Sequence, residues 1–273
     1  MSRNTPAGLN GKPNPAPPAI EIVDLAVAYG RDRVLSGINL TVQPGEVVAL
    51  LGANGSGKSS LVKAALGIIA HQAGQIRLNG QNLGPNTDWQ RVGYVPQRLS
   101  AAAAVPTTAG EVVRSGLLSR QRLHYRSNRT GRALVDQALA EVGLSNLAKA
   151  RVASLSGGQQ QRVLIARSLI SQPSVAFFDE PTAAVDQASQ DLIIETLLKR
   201  RQAGLAALVV LHEIGSFARL LTRAVLLENS RLIELDHITS SQHHPDHPWG
   251  DPHHPHSAEP TCEHSPHLTL AVP

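Results

Sequence analysis

The sequence predicts an α/β fold built on a largely parallel sheet. Three observations lead there. Strand-like apolar runs alternate with helical patterns along most of the chain. One such run, "PGEVVALLG", leads into the Gly-rich "GANGSGKS" and then directly into a helical pattern. Another, "SVAFFDE", ends on two carboxylates, and in open parallel sheets ligands bind outside the carboxyl ends of the strands.

Residues 1–19, rich in Pro, Asn and Gly, read as a disordered arm. "AIEIVDLAVAY" and "INLTV" alternate loosely and read as strands, and "PGEVVALLG" is a strand after a Pro-Gly turn. "GKSSLVKAALGII" has helical apolar spacing at Leu61, Ala65 and Ile68. "QIRLNG" and "RVGYVPQ" read as strands. Residues 98–171 change character and form a helical insert, with helices expected in "TAGEVVRSGLL", "ALVDQALAEVGL" and "QQQRVLIARSLI". Strands return with "SVAFFDE" and "LAALVVLHE". The helix between them carries the pairs Ile193/Leu197 and Ile194/Leu198 on one face and stops at Gly204. "AVLLENSRLIEL" reads as a closing hairpin that turns at Asn229-Ser230. The domain therefore spans 20–236. From 237 to 273 the chain is a disordered tail of His and Pro.

Composition narrows the functions. With 273 residues and 42% hydrophobic content there is material for one sizeable core, and 3% aromatics means that Leu, Ile, Val and Ala must build it. The formal charge of +4 is spread thinly, and the Arg residues scattered over 114–132 read as a solvated basic face, so nucleic acid is not an expected partner. The one cysteine, Cys262, allows no internal disulfide and suits a reducing compartment. No apolar run approaches the ~20 residues that cross a bilayer, and the N-terminus lacks a signal-peptide pattern, so any membrane role requires a spanning partner.

The chemistry is concentrated in a few segments. In "GANGSGKS" the glycines turn backbone N–H groups inward around phosphates at a helix N-terminus. Gly52, Asn54, Gly55, Ser56, Gly57, Lys58, Ser59 and Ser60 form this cradle, with Lys58 reaching the β- and γ-phosphates and Ser59 ligating Mg²⁺. Asp179 would hold Mg²⁺ through water, and Glu180 is placed to polarise an attacking water.

Between these segments lies "LSGGQQQR", residues 155–162, which resembles the signature of ABC-type ATPases. The resemblance covers about residues 20–236. It implies a P-loop NTPase cassette: a mainly parallel core, an N-terminal antiparallel β portion and an inserted helical subdomain at about 98–171. It also implies that Ser156, Gly157, Gly158 and Gln159 cap the γ-phosphate of an ATP held by a second copy of the chain, in a head-to-tail dimer. By the same resemblance, Tyr29 stacks on adenine, and Gln97 contacts Mg²⁺ and water and links the core to the helical insert. Asp186 crosses the dimer interface, and His212 contacts the γ-phosphate. "AAVD" stands where "SALD" is commoner and Glu213 where Asp is usual, but neither removes a required functional group.

Among ABC proteins the transporter subunit fits best. Members acting in DNA maintenance insert long coiled coils, absent here, and ribosome-associated members carry two cassettes where this chain has one. Integral permease subunits and, indirectly, an extracytoplasmic metal-binding receptor are the implied partners, and the cytoplasmic face of the plasma membrane the implied location. "RVGYVPQR" is similar to the Gln-loop region of zinc and manganese importers and of related metal-chelate importers. The tail adds a separate hint. His243, His244, His247, His253, His254, His256, Cys262, His264 and His267 lie close together in sequence, and imidazole and thiolate suit Zn²⁺.

Overall fold

The computed structural model describes residues 16–97, 107–117, 129–182 and 185–235. Its centre is a six-stranded sheet in the order β10-β9-β3-β8-β7-β6. The strands are β3 Val47–Leu51, β6 Val92–Val95, β7 Val175–Asp179, β8 Ala206–Val210, β9 Arg223–Glu228 and β10 Arg231–Leu235. The first five of these run parallel, and β10 closes the edge antiparallel to β9. A four-stranded antiparallel sheet joins β1 Ile20–Tyr29, β2 Asp32–Val42, β4 Ala73–Leu78 and a short β5 Gln81–Asn82 in the order β2-β1-β4-β5. Both parts of the expected sheet architecture are present.

The central strands are buried on both faces, which is why they read as unbroken apolar runs rather than alternating ones. Alternate side chains feed two cores. Ala49, Ala176, Phe178, Ala207 and Val209 enter one. That core also holds the apolar faces of α2 Ala109–Ser115, α3 Arg129–Glu141, α4 Gly157–Leu169 and α5 Gln187–Gln202. Val48, Leu50, Phe177, Leu208 and Val210 enter the other, against α1 Lys58–Ala65 and the inner face of the antiparallel sheet.

Helix ends follow the local chemistry. Thr108 and Glu111 form a capping box on α2, and Ser156 and Gln159 form another on α4. Gly204, at φ 96, accommodates the left-handed turn that ends α5. The apolar pattern after the phosphate loop differs from expectation at its end: Leu61 and Ala65 are fully buried, but Ile68 lies beyond α1 and is 57% exposed. The positive φ at Gly67 turns the chain out of the helix before Ile68 can join its apolar face. β2 starts at Asp32, earlier than "INLTV" suggests, because the β1–β2 hairpin is tight.

The β9–β10 hairpin turns at Asn229 and Ser230, with φ of 48° and 63°. Two consecutive positive φ values make the turn type that favours Asn-Gly, and Ser230 carries a Cβ penalty that glycine lacks. Ser230→Gly is expected to stabilise the chain by about 1 kcal/mol and raise the thermal midpoint by roughly 2–4 °C. Thermal unfolding followed by circular dichroism checks this.

Candidate functional site

The carboxyl ends of β3, β6, β7 and β8 emerge at one edge of the sheet, and each is followed by a candidate residue. After β3 the chain forms the phosphate loop. Gly52, Gly55 and Gly57 take φ of 148°, 78° and 106°. A Cβ on Gly52 would lie 2.5 Å from Leu227 O, and one on Gly57 would lie 2.8 Å from Val34 Cγ1, so the loop is pressed against β9 and β2 and requires both glycines. Lys58 is buried, and its Nζ donates to Gly52 O at 2.7 Å and Ala53 O at 2.8 Å. Ser56 Oγ is buried with no hydrogen-bond partner. An orphan hydroxyl in a loop that leads into a helix N-terminus fits an anionic oxygen. Ser59 Oγ donates to Asp179 Oδ1 at 3.4 Å, joining the loop to the end of β7.

Asp179 is 5% exposed, and burial pushes its carboxyl above the ordinary range, partly offset by the Ser59 hydrogen bond. Burial likewise pulls the Lys58 ammonium down, against the opposing charges of Glu180 and Asp179. Glu180 holds a left-handed backbone at φ 50, unusual for a residue with a Cβ. Both its carboxylate oxygens are engaged. Gln97 Nε2 donates to Oε2, and His212 Nε2 sits 2.9 Å from Oε1. Thus Gln97, Lys58, Ser59, Asp179, Glu180 and His212, scattered in sequence, form one connected cluster. Tyr29 stands half-exposed at the end of β1, its hydroxyl 3.3 Å from Ser60 Oγ.

The signature residues form a second group. Ser156 caps α4 and accepts from Gln159 N at 3.2 Å, while Gln159 Oε1 accepts from Ser156 N. Asp186 caps α5 by accepting from Ser189 N at 2.9 Å, and these bonds hold its carboxyl below the usual carboxylate range. A Cβ on Gly158 would meet Ser189 Oγ at 2.7 Å and Asp186 Oδ2 at 2.8 Å, so the two helix starts touch through a glycine. Within this chain the hydrogen bonds of Ser156, Gln159 and Asp186 close inside their own helix starts.

The tail candidates His243, His244, His247, His253, His254, His256, Cys262, His264 and His267 lie outside the described residues. Sequence reasoning missed the residues that join Glu180 and His212 in lining a cleft of about 450 Å³, among them Thr182, Gln187, Gln190 and Ser216. Their only signal is position, a few residues beyond "DE" and "HE", and none belongs to a motif.

Comparison with known proteins places the chain in a family. A family model described as ABC transporter matches residues 35–183. The chain is 37% identical over 195 residues to the manganese transport system ATP-binding protein MntB of Bacillus subtilis (strain 168), covering 71% of this chain and 77% of that one. It is 39% identical over 191 residues to the zinc import ATP-binding protein ZnuC of Cereibacter sphaeroides, covering 70% of this chain and 71% of that one. A nucleotide-free ATP-binding cassette from an ABC transporter superposes with a TM-score of 0.70 at 21% identity, covering 79% of this chain and 90% of that one. A putative metal-chelate type ABC transporter in an inward-facing conformation superposes with a TM-score of 0.67 at 27% identity, covering 80% and 82%.

The raised Asp179 carboxyl has a consequence for stability. A carboxyl whose folded pKa lies above its unfolded value penalises folding once it ionises; the penalty is present at neutral pH and is relieved as the pH falls through the folded pKa. Asp179→Asn is expected to raise the thermal midpoint of the nucleotide-free chain at neutral pH, by an amount that shrinks as the pH is lowered. Melts across a pH series check this, and a variant less stable than the parent at neutral pH would show that Ser59 and the nearby lysines outweigh burial.

Proposed function

The chain belongs to the ABC transporter family, and from that membership we propose that it is the ATP-hydrolysing subunit of an importer for zinc or manganese. The convergence of Lys58, Ser59, Asp179, Glu180, Gln97 and His212 at one sheet edge carries the ATPase reading. The metals named for the relatives support the cargo. A metal chelate is the second reading, favoured by the likeness to a putative metal-chelate type transporter.

The mechanism asks little covalent chemistry of the protein, because phosphoryl transfer depends on positioning and charge neutralisation. Tyr29 stacks on adenine, and the loop amides, with Ser56 and Ser60, surround the phosphates. Lys58 exchanges the Gly52 and Ala53 carbonyls for β- and γ-phosphate oxygens. Ser59, Asp179 and Gln97 would hold Mg²⁺, which neutralises phosphate charge when bound. Glu180 polarises the attacking water, while His212 holds the Glu180 carboxylate and reaches toward the γ-phosphate. Ser156, Gly157, Gly158 and Gln159, with Asp186, complete the site of a second copy, so that two ATP molecules clamp a head-to-tail dimer. Hydrolysis opens the clamp, and Gln97 hands the motion to integral permease subunits that receive metal from an extracytoplasmic receptor. The subunit works on the cytoplasmic face of the membrane; among the described residues no helix is long and apolar enough to cross it.

The tail belongs to the same proposal. His243, His244, His247, His253, His254, His256, Cys262, His264 and His267 bind the imported zinc on the cytoplasmic side.

Glu180→Gln is expected to lower ATP turnover by ~10²-fold or more while retaining ATP, and to trap an ATP-bound dimer. Gel filtration with ATP checks this; a persistent monomer contradicts the shared site, and retained turnover contradicts the role of Glu180. Uptake of zinc, manganese and metal chelate after deletion of the gene identifies the cargo. For the tail, the full-length chain is expected to bind zinc at neutral pH and release it at about pH 5 as the imidazoles protonate. Equal zinc stoichiometry in a full-length variant with the tail histidines changed to alanine would overturn it.

A further inference from the structure

His212 lies just beyond β8, where the strand ladder has ended, and its side chain is 50% exposed. The chain after it is held by burial of Ile214 and Phe217 and forms a short 3₁₀ turn, Gly215–Arg219. Ser216 in that turn donates from Oγ to Gln190 Oε1 at 3.3 Å. The other end of the same amide donates from Nε2 to Val185 O at 2.9 Å, one residue before Asp186. The amide orientation is settled by chemistry. A backbone carbonyl only accepts, so the nitrogen must face Val185 and the oxygen must face Ser216. A second link between the same elements, Arg219 to Asp191 at 3.4 Å, is half-exposed on both sides and is screened by solvent.

We propose that Gln190 and Ser216 are positioning residues for His212, with one amide tying the segment that enters Asp186 to the turn that follows His212. In this reading both act through the placement of His212, from the wall of the cleft that they share with it. Asp186 meets Gly158 at the start of the signature helix. The amide therefore joins the part of the chain offered to a second copy's nucleotide with the histidine that serves the chain's own. The inference rests on the role proposed above for His212.

Steady-state ATP hydrolysis by the full-length chain, measured against ATP concentration, tests it. Gln190→Met is expected to lower kcat roughly three- to tenfold, the scale of one lost hydrogen bond, with KM for ATP within about twofold. Ser216→Ala should act alike, and the double variant should be no worse than the more impaired single variant. Gln190→Glu keeps an acceptor for Ser216 but sets a carboxylate oxygen against the Val185 carbonyl, and should lose at least as much as Gln190→Met. In a His212→Ala background none of these changes should alter the residual single-turnover rate. Parental kcat in Gln190→Met, losses that add, or a further loss in the His212→Ala background would overturn the proposal. If His212→Ala alone hydrolyses ATP at the parental rate, the role assigned to His212 itself fails, which is a separate result.

Discussion

β3, β8, β7 and β6 lie side by side and parallel, with Leu50 and Asp179 both registered against Val210. Neighbouring strands are spaced by about 4.8 Å, so four turns that leave the same edge are held within reach of one nucleotide-sized ligand. The phosphate loop, the Asp179-Glu180 pair, His212 and Gln97 occupy those turns. Register is what makes this possible. A slip of one residue in β7 would exchange Phe177 and Phe178 between the two cores and turn Asp179 away from Ser59. The two faces carry different volumes, Val175 and Phe177 on one and Ala176 and Phe178 on the other, so the slip would mispack both cores, and the close-packed core is in this sense the instrument that aims the site.

The site carries costs that the fold absorbs. Asp179 and Lys58 lie in low-dielectric surroundings that oppose their charges, and Glu180 keeps a backbone conformation that glycine would hold with less strain. The same surroundings strengthen every electrostatic contact to an incoming phosphate and cation. Groups that destabilise the empty chain are thus matched to the charge of the reactant.

The strand–turn–helix text around Gly52–Ser59 and the apolar strand ending at Asp179 were legible because their chemistry imposes local sequence: glycine where φ is positive, an ammonium and a hydroxyl at the helix start, carboxylates at a strand end. Gln97 and His212 were legible through the family resemblance, and a lone Gln or His would not have stood out otherwise. What was not legible depends on tertiary approach. The Gln190–Ser216 bond joins a helix and a turn through side chains that form no motif. The close approach of Gly158 to Asp186 is a packing fact, invisible in a string of letters. The exposure of Ile68 followed from one left-handed glycine that ended a periodic pattern early.

Lys58 spends its ammonium on two carbonyl partners of its own loop. A loop of amides turned toward one centre has no internal reason to keep its arch, and an ammonium fastened to the carbonyls of Gly52 and Ala53 supplies one. In the proposed mechanism, nucleotide capture is then an exchange of ligands on a cation, carbonyl oxygens for phosphate oxygens, on a scaffold already standing. A loop already standing loses less conformational entropy on capture than one that must order itself around its ligand, and differences in affinity between such sites then lie mostly in how slowly the ligand leaves.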